Sequence, residues 1–576
     1  MTPRQRTTGW IVGAVALLVY CLSLEPSVSF WDCGEYIATS YRLEVGHPPG
    51  APFYQLLAHC FSWLAGNNLA AVAWCCNLLS AVAGAFTTTL LYWSIVLLMN
   101  SRRISPALIG ALCYLFLDSV WFSAVESEVY SLAMLFSALI VWAALRWYRC
   151  TDTNHAPRWL ILIAFLSGLG ACVHLMVLLT LSVVLVALIK GRKRFLPTLR
   201  RPTWLFLALL LFTIGLTPYL IIPIRAAAHP PINTGCPEDF ESFKSYIRRD
   251  QYPHAPLYPR LWRERDSINA AKWSGGDTSW KGNLRYYVSY QLGFMYGRYI
   301  SNNFIARQNQ HRHTTVYYII PMALVLIGLW RQIRRRDGSI WVVGTLFFVA
   351  GPLLNFYLNH PCYEPRERDY VYVLSFFALC FWIAEGAEWM LESVSKRWEK
   401  AAVFVLLALA PLSLAWGNWD DHDRSGRYIA HDAACNLLNS CDKGSILFTF
   451  GDNDTFPLWY LQQVEQYRTD VEVVNINLTG YRKVFKLINN NIDKRKCYLS
   501  QYSYDKLHDV FAGHLALEGI NYRLSSTPCD EVDTATTALK NIVWHDTTDV
   551  YVDHIGRSFI IQSDTCRARY YRALGK

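Results

Sequence analysis

Two carboxylates three residues apart, Asp32 and Glu35, stand in the segment Phe30-Trp31-Asp32-Cys33-Gly34-Glu35-Tyr36, directly after the first apolar run. That spacing puts both on one face of any helix starting there. A carboxylate at a membrane surface beside aromatic rings is placed to take a proton from an acceptor hydroxyl. The same pair also reads as a capping box, with Asp32 as N-cap and Glu35 at N3. Further on, His47-Pro48-Pro49-Gly50 makes a stiff turn that holds His47 close to the same surface. Glu126 and Glu128 fall in a loop so short that both must lie at the bilayer surface. They read either as site residues or as solvated loop carboxylates, Glu128 also favouring the N-terminus of the next helix.

Cations supply the complement. Arg225 closes an apolar run at Pro223-Ile224-Arg225, and Arg366 and Arg368 sit in Glu364-Pro365-Arg366-Glu367-Arg368-Asp369 at the start of another. Guanidinium groups there suit a phosphate or pyrophosphate, gripped bidentately, although headgroup anchoring and ion pairs with Glu364, Glu367 and Asp369 compete. Farther along, Gly451-Asp452-Asn453-Asp454-Thr455-Phe456-Pro457 follows a predicted strand. Its Asp-x-Asp resembles a nucleotide-sugar motif, but nucleotide sugars are cytoplasmic and this segment is expected outside. A strand-to-helix turn capped by Asp454 or Thr455 explains it better.

The elements that position these residues are membrane spans. The chain has 576 residues, 53% hydrophobic and 15% aromatic, with apolar runs at about 10–24, 69–99, 104–123, 128–147, 159–189, 203–224, 315–330, 339–357, 370–390 and 401–416. Its net charge of +10 resides largely in short clusters between these runs, which orients a membrane protein and gives no reason to expect nucleic acid. Clusters at Arg4/Arg6, Arg102/Arg103, Arg146 to Arg158, Lys190 to Arg201, Arg331 to Arg336 and Lys396 to Lys400 are then cytoplasmic. The run 159–189 has basic clusters on both sides, so it must be a hairpin, loosened at Gly168 and Gly170, with His174 near its outer turn. Arms of about 15 residues span only roughly 23 Å. Counting the hairpin as two spans predicts about eleven, with the N-terminus cytoplasmic and residues 417–576 extracytoplasmic.

The expected domains are therefore a transmembrane unit over 1–416, with outer loops 25–68, 123–128, 225–314 and 358–369, and a small α/β domain over 417–576. Strands are predicted at Ser445 to Phe450 and Val471 to Ile476, around a helix from Phe456 to Tyr467. An amphipathic stretch, Pro52 to Leu64, lies in the first outer loop. The 16 cysteines show no zinc-type spacing. Disulfides between Cys435 and Cys441, or Cys529 and Cys566, are open to the outer domain.

The stretches FWDCGEYIATSYRLEVGHPPGAPFYQ, AVESEVYSL, the loop around YIRRDQYP, EPRERDYVYV and ILFTFGDNDTFPLWYLQ together resemble glycosyltransferase family 117. That membrane family is related to the eukaryotic transmembrane O-mannosyltransferase of plexin-type receptors. The resemblance implies a GT-C fold, a multispan bundle using a polyprenyl-phosphate sugar from the outer face of the cytoplasmic membrane. It also implies an inverting transfer to Ser or Thr hydroxyls of exported protein. In that scheme Asp32 is the base with Glu35 beside it, and Arg225, Arg366 or Arg368 stabilises the departing phosphate. Glu126 and Glu128 position donor or acceptor, with His47 and His174 as further positioning candidates. Divalent metal dependence is open. Competing expectations are a lipid or glycan acceptor, a transporter or flippase, and a non-catalytic envelope scaffold. Transport is disfavoured because ionisable residues gather at span ends and no repeat is visible.

Overall fold

The computed structural model describes residues 1–101, 103–150, 156–191, 202–262, 267–309, 314–362, 366–479, 497–500, 550–552 and 558–560. Cys529 and Cys566, Arg102, Glu364 and residues 192–201 of the Lys190 to Arg201 cluster lie outside them. The first seven helices are α1 (Pro3–Leu22), α2 (Cys33–Arg42), α3 (Pro52–Ser62), α4 (Val72–Met99), α5 (Ser105–Leu115), α6 (Asp118–Ala124) and α7 (Val129–Arg149). Seven helices in the described chain are long and apolar enough to cross a bilayer, or eight if α5 and α6, bent by 65°, form one broken span. Pro157–Ala171 and Leu175–Lys190 are shorter apolar helices, the two arms of the expected hairpin. Ile320–Arg335, 16 residues ending in arginines, supplies the remaining segment. Each expected span contains a helix, although the run expected from 315 opens on a strand, Thr314–Tyr317, paired with Ala306–Asn309, and turns helical only at Ile320. Helix α4, with 28 residues, is about 42 Å long, enough to cross the apolar layer and project beyond it.

The helix Val373–Glu392 is the axis of the bundle. Of the apolar window within Asp369–Glu392, 94% is buried inside the protein, against 11% for Pro202–Ala226. The latter exposes Leu205, Phe206 and Leu209, an apolar surface suited to lipid rather than water. The axis helix packs on Ile320–Arg335 so closely that a Cβ at Gly328 would lie 1.8 Å from the Trp382 carbonyl oxygen. Small residues at such crossings let backbones approach where lipid supplies no hydrophobic drive. Near its C-terminal end the fully buried Glu385 is paired with Arg331 and, at 2.6 Å, with Arg335.

Past the expected end at Trp416, the last long helix, Arg397–His422, continues to His422. Strands Glu472–Asn475, Ile446–Thr449 and Cys497–Leu499 then form a parallel sheet with Ile446–Thr449 in the middle. Helices Ile429–Asn439 and Asp452–Gln463 pack together beside it. The second begins at Asp452 rather than at Phe456. Asp454 explains the shift, because its carboxylate accepts the backbone N–H groups of Phe450 at 3.2 Å and Gly451 at 2.7 Å and starts the helix on the acidic turn. The Cys435 and Cys441 disulfide does not form: both are buried free thiols, and Cys441 Sγ donates to the Leu437 carbonyl at 3.5 Å within its own helical turn.

Candidate active site

Asp32 occupies the N-cap of α2, yet its backbone is already helical and its carboxylate makes no capping bond. Glu35, fully buried, does not reach back to it. Its carboxylate instead accepts the His47 backbone N–H at 2.9 Å and pairs with the His47 ring nitrogen. The capping-box alternative is thereby replaced by a buried Glu–His pair with a partly exposed aspartate beside it. Burial works against the His47 imidazolium, but the Glu35 charge and hydrogen bond outweigh it and raise the ring to about 10, with Asp32 and Asp452 adding to the pull. Tyr246, from the loop around YIRRDQYP, clamps the turn from outside: its hydroxyl reaches the Gly46 carbonyl at 2.7 Å and the His47 carbonyl at 3.2 Å.

A second wall comes from the loop before α7. Glu126 and Glu128 are almost fully buried, so the solvated-loop reading fails. Glu126 accepts from Arg424 at 2.5 Å and from Ser29 Oγ at 3.0 Å, and it lies 3.8 Å from Arg366. Glu128 accepts from Arg366 at 3.1 Å. Burial, opposed by Arg366 and reinforced by Asp32 and Glu126, pushes the Glu128 carboxyl up to about 8. The Arg366 guanidinium stacks on two rings, 5.2 Å from the Trp31 centroid and 4.6 Å from that of Tyr370.

The other candidates scatter. Arg225 donates to the Leu43 carbonyl at 2.5 Å and the Arg42 carbonyl at 3.2 Å. It serves the C-terminal end of α2, whose 10 residues place it about 15 Å along the axis from Asp32. Arg368 donates its backbone N–H to the Tyr299 hydroxyl at 3.1 Å, and its charge bears on Tyr370 and Tyr372. His174 caps the second hairpin arm, its Nδ1 accepting from the Met176 N–H at 3.2 Å, and its ring centroid lies 5.3 Å from that of Tyr130. Burial, then the Arg249 and His47 charges, lower it to about 4, so it is neutral at neutral pH.

Arg424 was not singled out from the sequence, and Asp452 and Asn453 were read there only as part of a strand-to-helix turn. Arg424 is almost fully buried and bridges Glu126 and, at 3.1 Å, Glu25. Asn453 Oδ1 accepts the Trp31 backbone N–H at 2.6 Å. Asp452 stands beside Asp32, Glu35 and His47; its enclosure and the two carboxylates push it up to about 7 while His47 pulls the other way. The signals were present as an acidic turn and an arginine just past the apolar run, but their partners lie hundreds of residues away. The Asp32 charge is felt by Tyr36 and His47 in the first loop, Glu128 and Tyr130, Arg366 and Tyr370, and Asp452 in the tail. It therefore marks the point where four segments converge. Among the described residues, one group of possible metal ligands, Cys33, Glu126 and Glu128, brings ligand atoms within 4.8 Å. Its carboxylates are already engaged by Arg366 and Arg424.

Known proteins resemble this chain in sequence and in fold. The family model described as Protein O-mannosyl-transferase TMEM260 N-terminal domain matches residues 32–195, beginning at Asp32. TMEM260-associated domain 2 matches residues 430–482, which contain the acidic turn. Protein O-mannosyl-transferase TMEM260 of Mus musculus is 25% identical over 507 residues, covering 82% of this chain and 64% of the relative. Its counterpart in Dictyostelium discoideum is 22% identical over 522 residues, covering 83% and 58%. The chain thus spans about three fifths of the length of these relatives. Among solved structures, ArnT from Cupriavidus metallidurans superposes with a TM-score of 0.52 at 13% identity, covering 87% of this chain and 95% of that one. The same protein bound to undecaprenyl phosphate also gives 0.52, at 12% identity and the same coverage. The chain is a GT-C-like membrane protein resembling the O-mannosyl-transferases.

Proposed function

We propose that this chain transfers a sugar, by the names of its relatives mannose, from a polyprenyl-phosphate donor to Ser or Thr hydroxyls of exported protein. The observation that carries the reading is the setting of Asp32: partly exposed and uncapped, beside a buried Glu35–His47 pair on one side and the ring-stacked Arg366 on the other. Asp32 takes the proton of the acceptor hydroxyl, whose oxygen attacks the anomeric carbon as the bond from that carbon to phosphate oxygen breaks. Polyprenyl phosphate departs and the configuration inverts. Arg366 faces the negative charge growing on the phosphate, with Arg368 one step farther along the same loop. The closed Glu35–His47 pair fixes the turn that walls the acceptor side. Glu126 and Glu128 hold Arg366 in place, His174 lines the hairpin side as a neutral ring, and Arg225 holds the far end of α2.

The bound polyprenyl phosphate of the ArnT structure supports a lipid-linked donor for this fold. The basic clusters support an N-terminus in the cytoplasm and a C-terminal region outside it, in the cytoplasmic membrane. The test is transfer from radiolabelled polyprenyl-phosphate mannose to a Ser/Thr-containing peptide by the purified chain and its Asp32→Asn variant, with protease accessibility of a C-terminal tag in sealed vesicles for orientation. Loss of transfer at normal abundance supports the reading. Retained transfer by Asp32→Asn removes Asp32 as base, and an unmodified peptide with labelled lipid product moves the acceptor to a lipid or glycan.

A further inference from the structure

Trp31 has a left-handed backbone, with φ at 62°. Only glycine enters that region freely, so a tryptophan there must be held by its surroundings. The hold on its N–H comes from 422 residues away, where Asn453 Oδ1 accepts that bond at 2.6 Å. The contact is not a loose brush of the tail against the bundle. A Cβ at Gly34 would lie 2.4 Å from the Phe456 carbonyl oxygen, so the first turn of α2 and that of the Asp452–Gln463 helix meet backbone to backbone. Asn453 in turn belongs to a braced turn. Beside it, Asp454 binds the Phe450 and Gly451 N–H groups, and Thr455 Oγ1 meets Thr449 Oγ1 and Asn475 Nδ2, each at 2.8 Å, tying the turn to the middle strand and its Glu472–Asn475 neighbour.

The left-handed Trp31 directly precedes Asp32, the N-cap of α2 whose carboxylate makes no capping bond, and the centroid of its indole ring lies 5.2 Å from the Arg366 guanidinium. We propose that the tail is a working part of the transfer site, with Asn453 as a positioning residue that acts through Trp31 on both Asp32 and Arg366. This rests on the reading of Asp32 as the base. The consequence is that sheet and bundle form one catalytic unit, so tail residues that never touch the donor govern turnover.

The test uses the full-length purified chain with radiolabelled polyprenyl-phosphate mannose and a Ser/Thr-containing peptide. Asn453→Ala is expected to lower kcat by roughly tenfold to a hundredfold, the scale of an ångström of misplacement, while the donor KM stays within about twofold. Asn453→Asp retains an oxygen for the Trp31 N–H and is expected to recover most of that loss. If the alanine variant does not accumulate, Asn453→Gln, which keeps the amide but displaces its oxygen, is expected to show the same kcat loss at an unchanged melting temperature. An unchanged kcat in Asn453→Ala, or in Asn453→Gln where that variant stands in for it, with Asp32→Asn inactive, overturns the role of Asn453 and leaves the base assignment intact. Equal losses in the alanine and aspartate variants also overturn it, because an oxygen acceptor would then not matter. An active Asp32→Asn overturns the base assignment, and this inference with it.

Discussion

Two clusters of charge stand at opposite ends of the Val373–Glu392 axis, and they are built differently. At the end carrying Arg331 and Arg335, Glu385 is fully buried and both of its oxygens are taken by guanidinium groups, with Arg331 also bonded to Glu392 at 2.9 Å. At the other end carboxylates outnumber the cations that face them: Asp32, Glu35, Glu126, Glu128 and Asp452 share Arg366, Arg424 and His47. Glu385 has no oxygen to spare and can only hold helices together. An open cluster leaves a carboxylate free to accept a proton and a guanidinium stacked on rings beside it, which is the condition for acid–base work. On the proposed function, chemistry belongs where pairing is left incomplete.

The comparison breaks most visibly at Asp32. Asp32→Asn is expected to cut transfer by about 10²–10⁴-fold, the usual weight of a general base, with normal abundance and melting. Arg366→Lys keeps the charge but loses the planar fork and the ring stacking, and a fall of roughly tenfold to a hundredfold in kcat is expected from the same assay. Glu385→Ala tests the other end. It leaves two guanidinium groups without their carboxylate, and a loss on the order of 3 kcal/mol is expected in detergent unfolding, with transfer per folded molecule within about twofold of the parent. A large drop in turnover there would erase the distinction between closed and open clusters.

How much of this was readable beforehand follows the range of the interactions involved. Apolar runs and basic clusters are local, so each expected span contains a helix, including the hairpin with its turn at Cys172 to His174, and the start of the run expected from 315 departs from this by joining a strand. The parallel strands around the acidic turn were likewise local signals. What sequence could not weigh was burial. The Asp32 to Glu35 spacing fits a capping box and a catalytic pair equally, and only the approach of His47 shows which way Glu35 turns. Arg225, Arg366 and Arg368 looked alike as guanidinium groups at span ends, yet Arg225 serves the carbonyls at the end of α2 while Arg366 is stacked beside Asp32. Arg424 and Asn453 gave no sign of their partners because those contacts close loops of hundreds of residues.

The smallest effect concerns the pair inside the open cluster whose cation titrates, Glu35 with His47. Folding raises the His47 ring to about 10 from the ordinary value near 6.5. A raised folded value means the imidazolium stabilises the native state fully below about pH 6.5, and that contribution is lost as pH rises through about 10. His47→Gln cannot carry the charge, so the stability gap between parent and variant should be widest below about pH 6.5 and close as pH rises toward 10. On the order of 1–2 kcal/mol is expected at its widest, after discounting for the part of the ring that solvent reaches. Melting temperatures of both proteins across that window supply the check. A gap independent of pH would mean that His47 holds the turn as a neutral ring, and Glu35 would then lack a cationic partner while keeping the His47 backbone N–H.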